Sequence, residues 1–259
     1  MPLNRPTFLL TLLAALTAIA ALACTSSSTA PTATPSPQPT LADDAETRAA
    51  AESALLVLSD FPDAWEEQPA DLEDDDDDLT FEFAPRICRK FFQRDEFPGT
   101  LFEIEINEFH GPDGETVESR VTALKSEDST TAAFDELRQV LQDCPEPLKI
   151  ALVDYYEAEF QDSSSTVTLV DFAMDSIEFP QYGDDTLAIR FIFEFEVDGE
   201  PITSFADIID IRQGSLIGEF AFRTTDTPPD PDLARHLAQL IEPRLASAWN
   251  AITPPSGDE

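Results

Sequence analysis

Apolar and polar residues alternate along Leu101–Phe109, the period-two pattern of a strand that buries one face. The turn residues His110–Gly114 follow this segment, and Glu115–Leu124 provides a returning strand. These three segments predict a β-hairpin in the first half of the chain.

The second half of the chain is richer in strand patterns. Thr166–Phe172 predicts a short strand, and Thr186–Val197 alternates over its whole length before the strong two-residue turn signal Asp198-Gly199. Two more strands are predicted at Ile202–Arg212 and Ser215–Arg223, joined by a turn at Gln213-Gly214. We expect an antiparallel meander with one face in the core and the other largely solvated.

Three further segments have the helical period of about 3.6 residues. They are Ala45–Leu58, capped by Asp43 or Asp44; Ser129 or Thr130 to Gln142; and a closing helix that begins at Pro231 after the cap Asp230 and contains Pro243. Pro243 should kink the closing helix, because proline removes a backbone hydrogen bond. Strands and helices together predict an α+β fold, an antiparallel β-sheet packed with helices.

The apolar run at the start of the chain has a different meaning. Arg5 precedes the apolar segment Phe8–Ala23, which ends at Cys24 and is followed by small polar residues. The sequence Ala-Leu-Ala-Cys resembles a bacterial lipobox, in which the cysteine is diacylated, for example with palmitate, and becomes the first residue of the mature protein. An ordinary secretory signal cleaved after an Ala-x-Ala site is the alternative. Both interpretations predict export.

The residues after Cys24 are almost wholly Ser, Thr, Ala and Pro. Such a composition cannot bury a core, and its prolines favour an extended chain, so this segment predicts a disordered tether. The domain organisation is therefore a signal peptide at residues 1–23, the lipidated cysteine and tether at 24–44, a single globular domain at 45–250 and a disordered tail at 251–259.

Two cysteines remain once Cys24 is assigned to lipid. Cys88 and Cys144 form an even pair in an oxidising compartment, which most simply predicts one disulfide. Closing a loop of this length should cost the unfolded chain roughly 4 kcal/mol on the entropy model. Their spacing fits no zinc-binding pattern.

The charge of the chain restricts its partners. It carries 52 acidic and 15 basic residues, a formal net charge of −37. This charge repels phosphate backbones and anionic headgroups, so nucleic acid is excluded as a partner. An acyl chain, rather than surface charge, must then hold the protein to a membrane.

The sequence contains few candidates for site chemistry. The acidic run offers weak candidates for divalent cations, namely Asp74, Asp75, Asp76, Asp77 and Asp78, but it lacks the ligand spacing of an EF-hand and is read as a solvated loop. His110 and His236 have no neighbouring nucleophile motif, and both are read as surface residues. We therefore predict no catalytic residue, no metal and no cofactor, and a protein that is not an enzyme.

The phenylalanine-rich strand leaves two alternatives open. Phe191, Phe193 and Phe195 share one face of the strand Thr186–Val197. They either line a lipid-binding groove or form ordinary core, and an alternating aromatic face is more often core.

Several motifs together resemble the PknH-type extracellular sensor domain and its free-standing lipoprotein relatives. They follow an exported anchor and tether in this order: Leu55-Leu56-x-Leu58-x-Asp60-x-Pro62-x-x-Trp65, Ala133-Phe134-x-x-Leu137-x-x-x-Leu141-x-x-Cys144, and Gly183-Asp184 before paired strands and a last helix. The likeness covers roughly residues 45 to 250. It implies an antiparallel sheet packed with helices, a groove, and a ligand-sensing role without established catalytic residues.

The sequence thus predicts an exported protein, lipid-anchored at the outer face of the membrane, or secreted if Cys24 is not acylated. Its domain is expected to bind a small-molecule ligand or an envelope protein partner without catalysis. The alternative is a lipid carrier with an apolar groove.

Overall fold

The computed structural model describes residues 40–68, 85–89, 97–159 and 166–253. All of them lie in one compact unit, Gln38–Glu259. The predicted signal peptide with Cys24, nearly all of the tether, the run Asp74–Asp78 and the tail from Pro254 lie outside the described residues.

The fold is built on one sheet, which has seven strands in the described part of the chain. They are β1 Glu66–Gln68, β2 Thr100–His110, β3 Thr116–Leu124, β4 Val167–Ser176, β5 Asp185–Val197, β6 Glu200–Gln213 and β7 Leu216–Thr225. The order across the sheet is β1-β2-β3-β7-β6-β5-β4, and every neighbouring pair is antiparallel. The predicted α+β class is confirmed.

Tight turns set the register of the central strands. Asp198 and Gly199 both have positive φ, 53° and 87°, as a two-residue turn with primed geometry requires, and they join β5 to β6 as predicted. The turn from β6 to β7 is Gly214-Ser215, one residue later than the sequence suggested, because Gln213 already pairs with Leu216.

The described helices are α1 Ala45–Glu52, α2 Arg86–Arg89, α3 Glu127–Asp143, α4 Pro145–Glu159 and α5 Pro231–Ile252, with a 3-10 turn at Leu58–Asp60. The prediction that the first helix runs to Leu58 is wrong. It ends at Glu52 because Ala54, Leu55 and Leu56 are all buried. Three consecutive residues cannot all face the core from one side of a helix.

Two other helices differ from the prediction. Helix α3 begins at Glu127, earlier than expected, because the Ser126 side chain accepts a hydrogen bond from the Ser129 N–H and caps it. Helix α4 was not predicted, since Pro145 and Pro147 in its first turn hide its period. Helix α5 has its predicted cap and first residue, and Pro243 lies inside it without ending it.

Helices cover both faces of the sheet, so the expectation of one largely solvated face is wrong. Helices α1 and α5 pack on one face, and α2, α3 and α4 pack on the other. Ile208 and Ile209 are adjacent in β6 and therefore point to opposite faces, and each belongs to a different core cluster. The sheet is the middle layer of the molecule.

The predicted disulfide is present. Cys88 in α2 is bonded to Cys144 at the end of α3, with the two Cα atoms 5.5 Å apart and both side chains buried. The bond links α2 to the helical layer on its face of the sheet.

None of the helices in the described part of the chain is both long and apolar enough to cross a membrane.

Replacing Cys88 with serine should lower the free energy of unfolding by roughly 2–5 kcal/mol, because the unfolded chain regains the entropy of an open loop. Thermal melting under oxidising conditions measures the change. Wild type in excess reductant is the matched control and should fall by a similar amount. A melting curve that neither change moves would show that the bond contributes nothing to stability.

Candidate functional site

A cavity of about 370 Å³ lies between the start of α5 and the face of the sheet that α5 covers. Its volume falls within the range of about 300–1,000 Å³ that is typical of small-molecule sites. The walls are mostly apolar and include Ile177, Phe179, Ile209, Pro228, Pro229 and Ala234.

One wall is the segment that leaves β4. The Ile177 N–H donates to the Ala188 carbonyl oxygen over 3.0 Å, which keeps the chain beside β5 after the ladder ends. Phe179 then packs against Tyr182, with ring centroids 5.9 Å apart. Two apolar side chains are thereby held at the cavity without regular secondary structure.

The opposite wall is the loop from β7 into α5. Pro228, Pro229 and Pro231 restrict its backbone, because each proline fixes φ near −65°. The Asp230 side chain accepts a hydrogen bond from the Asp232 N–H over 2.9 Å and caps the helix. Ala234, one turn into α5, presents only a methyl group to the cavity and leaves space beside it.

The floor of the cavity carries an ion pair between β5 and β6. Arg190 and Asp207 are directly opposite each other in the ladder. Arg190 Nε donates to Asp207 Oδ1 and Nη2 donates to Oδ2, both over 2.6 Å. The Asp207 side chain is 4% exposed and that of Arg190 is 23% exposed. This two-bond geometry is the strong form of an arginine–carboxylate contact.

Asp207 fixes the charge state of its partner. The two hydrogen bonds that its carboxylate accepts raise the pKa of Arg190 above its ordinary value, which outweighs the opposing effect of burial. Arg190 is therefore a permanent cation held in one orientation.

Two other charged residues lie at the rim. Arg235 forms an ion pair with Asp232 one turn away on α5, and both side chains are substantially exposed. Glu178 lies beside Ile177 and is exposed. The cavity is thus an apolar space with one hydrogen-bonded ion pair at its base, an arrangement that suits an amphipathic molecule.

The residues singled out from the sequence lie elsewhere. His110 ends β2, with Nε2 3.0 Å from Glu108 Oε2, and His236 is exposed on α5. Neither histidine lines the cavity. Within the described ranges, no group of three or more His, Cys, Asp or Glu residues is placed to hold a metal ion.

Phe191, Phe193 and Phe195 belong to the core cluster on the other face of the sheet. Phe193 packs on Phe172 of β4 with ring centroids 5.2 Å apart, and Phe195 packs on Tyr156 of α4 at 5.1 Å. The structure therefore supports the core interpretation of this aromatic face over a groove.

The pairing of Arg190 with Asp207 was not predicted, although the sequence contains the turn that implies it. A two-residue turn at Asp198-Gly199 places residues at equal distances from the turn opposite each other. Arg190 is seven residues before Val197 and Asp207 is seven after Glu200, so the turn alone pairs them. The walls have no such signal, because they come from loops.

Replacing Asp207 with asparagine should lower the free energy of unfolding by roughly 2–4 kcal/mol, since a half-buried arginine loses its charged acceptor. Chemical denaturation measures the loss. Asp175→Asn is the matched control, because Asp175 lies opposite Arg190 on β4 but is exposed. Its effect should stay within about 0.5 kcal/mol. Equal effects of the two variants would contradict a stabilising role for the ion pair.

Comparison with known proteins finds a structural resemblance without a sequence match. No family model matches it, and no curated protein matches its sequence. Among solved structures, it resembles the crystal structure of the extracellular domain of PknH from Mycobacterium tuberculosis, with 10% sequence identity and a TM-score of 0.48. The match covers 81% of this chain and 98% of that one. It is a distant structural resemblance.

Proposed function

We propose that this chain is an exported protein, held at the outer face of a membrane by an acylated Cys24, whose α+β domain binds a small ligand without catalysis. The observation that carries the proposal is the cavity of about 370 Å³ with apolar walls and the Arg190–Asp207 ion pair at its floor. Binding there would make the domain a sensor or a ligand receptor.

The energetics of the cavity support a binding role. The cavity opens to solvent beside the exposed residues Glu178, Pro228 and Pro231, so its apolar wall atoms contact water until a ligand covers them. A buried ion pair contributes little net stability compared with well-packed apolar residues of similar volume. Apolar wall atoms in contact with water and fixed hydrogen-bond donors at the same place suit a ligand site better than a purely structural one.

The state of Asp207 favours binding over catalysis. A general base must be able to reach a substrate proton through a free carboxylate oxygen. Both carboxylate oxygens of Asp207 accept hydrogen bonds from Arg190. The pair is therefore better suited to holding a ligand than to moving a proton.

The chain enters the described domain at one end of the sheet, and the cavity loop lies at the other end. The Leu41 N–H donates to the Lys125 carbonyl oxygen over 2.9 Å, so the chain enters the domain where β3 ends. Strand β7 starts at that end, paired with β3, and its 10 residues at about 3.3 Å each carry it about 30 Å away. The loop Pro228–Pro231 follows β7. The cavity loop therefore does not lie at the end of the sheet where the tether joins the domain.

The lipid anchor can be tested by growing cells with an alkyne-tagged fatty acid. Wild type should incorporate the label and remain with membranes, whereas Cys24→Ala should lose the label, because only the acylated thiol carries it. In-gel fluorescence after click labelling measures incorporation. Equal labelling of the two forms would contradict the anchor, as would release of the wild-type protein into the medium.

The ligand site can be tested by native mass spectrometry of the protein purified from its own membranes. Wild type should carry a non-covalent small-molecule adduct. Ala234→Leu should lose most of it, because the larger side chain fills the cavity. Gln239→Leu adds the same apolar side chain on the exposed face of α5 and is the matched control. An adduct that survives in Ala234→Leu, or no adduct in wild type, would contradict a ligand in this cavity.

A further inference from the structure

We infer that the ligand is a small carboxylic acid with an apolar body, and that its carboxylate binds the Nη1–Nη2 edge of Arg190. This inference rests on the proposed function, because it names the chemistry of the same cavity.

The first step is the unused hydrogen-bonding capacity of Arg190. A guanidinium has five N–H donors arranged around a plane. Asp207 takes the edge formed by Nε and Nη2. Nη1 makes no hydrogen bond to any residue that the structure describes, and Arg190 lines the cavity. The end of the guanidinium therefore has two parallel donors available to an incoming group.

The second step is the shape of the acceptor that fits these donors. The Nη1–Nη2 edge presents two N–H groups side by side, the spacing that a carboxylate accepts with its two oxygens. Asp207 holds the guanidinium plane in place, and both residues sit in the centre of hydrogen-bonded strands. The site is preorganised, so little conformational entropy would be lost when a ligand binds.

The third step is the balance of donors and acceptors in the cavity. The oxygens of Asp207 are already occupied, so the floor offers donors and few free acceptors. Asp175 lies opposite Arg190 on β4 but is exposed and does not line the cavity, so a cationic ligand there would meet the guanidinium without a free carboxylate at the floor. Glu178 lines the cavity but is exposed, so solvent screens its charge.

The apolar walls define the rest of the molecule. Ile177, Phe179 and Ile209 surround the space above the floor. An inorganic anion or a polar sugar acid would leave these side chains without contacts, whereas an aromatic or aliphatic body would bury them. The volume limits the body to a small acid.

The acidity of the whole chain does not prevent this binding. At physiological ionic strength, exposed charges more than about 8 Å away are largely screened. The group that faces the ligand is Arg190, whose charge is balanced in part by Asp207, so the paired N–H donors of its second edge, rather than net charge, select a carboxylate.

The test uses the full chain in lipid nanodiscs and isothermal titration with phenylacetate and octanoate, each compared with its neutral amide. The acids should bind at least tenfold more tightly than the amides, because both share shape but only the acids carry the charge. Empty nanodiscs correct for partition into lipid. Arg190→Lys retains a cation for Asp207 but lacks the second edge, and it should reduce the acid preference to threefold or less.

Arg120→Lys is the matched control variant. Arg120 is also a strand arginine paired with a carboxylate, Nη2 to Glu105 Oε2 over 2.8 Å, but it is not part of the cavity. It should retain the acid preference. Melting curves of both variants show that they are folded.

The remaining outcomes separate the inference from the proposed function. If acids and amides bind equally and Ala234→Leu abolishes both, the cavity is a ligand site but the carboxylate assignment is wrong. If none of the four probes binds while wild type still carries its native adduct, the ligand belongs to another class. An acid preference that persists in Arg190→Lys would overturn the role of this residue.

Discussion

The fold depends on how a strongly acidic chain uses its few arginines. Eight arginines among the described residues form ion pairs with carboxylates. Two of these pairs have a buried acid and a two-bond geometry. Arg190 binds Asp207 across β5 and β6, and Arg244 of α5 binds Asp60 over 2.6 Å at both oxygens. Arg244 also donates to the Leu55 carbonyl oxygen, so it ties α5 to the segment that follows α1. Self-repulsion opposes a compact state at this net charge, and such pairs offset it where acids are buried.

Much of the sheet could be predicted because period and turn chemistry are local. Residues Leu187 to Phe195 alternate regularly, and Asp198-Gly199 supplies the only backbone geometry that a two-residue turn accepts easily. The burial of the second face of the sheet, which α1 and α5 cover, could not be predicted from this alternation. Ala188 on that face is too small to indicate a second core in the sequence, and it is buried in the cluster that also contains residues of α5. Helix α4 was also not predicted from the sequence. Its Ile150 is exposed among buried neighbours, which weakens the amphipathic pattern of the helix.

The candidate site divides into a predictable part and an unpredictable one. Its floor follows from the turn register, which places Arg190 opposite Asp207. Its walls come from Ile177–Phe179 and Pro228–Pro231, segments without period whose positions depend on where β4 ends and α5 begins. The cavity exists because these segments leave space between them. The spacing of hydrophobic residues predicts helices and strands but does not predict where space is left. The candidates from the sequence were therefore His110 and His236, the run Asp74–Asp78 and the phenylalanines of β5. Neither the histidines nor these phenylalanines line the cavity in the structure.

The floor also couples binding to stability. Arg190 and Asp207 join two central strands, so the groups proposed to meet the ligand also hold the sheet together. A ligand that binds only the folded state stabilises it by RT ln(1 + [L]/Kd), about 2.7 kcal/mol at a hundredfold excess over Kd. This is comparable to the loss expected when Asp207 is replaced with asparagine. A ligand on the free edge of Arg190 would therefore reinforce the contact that shapes its own site.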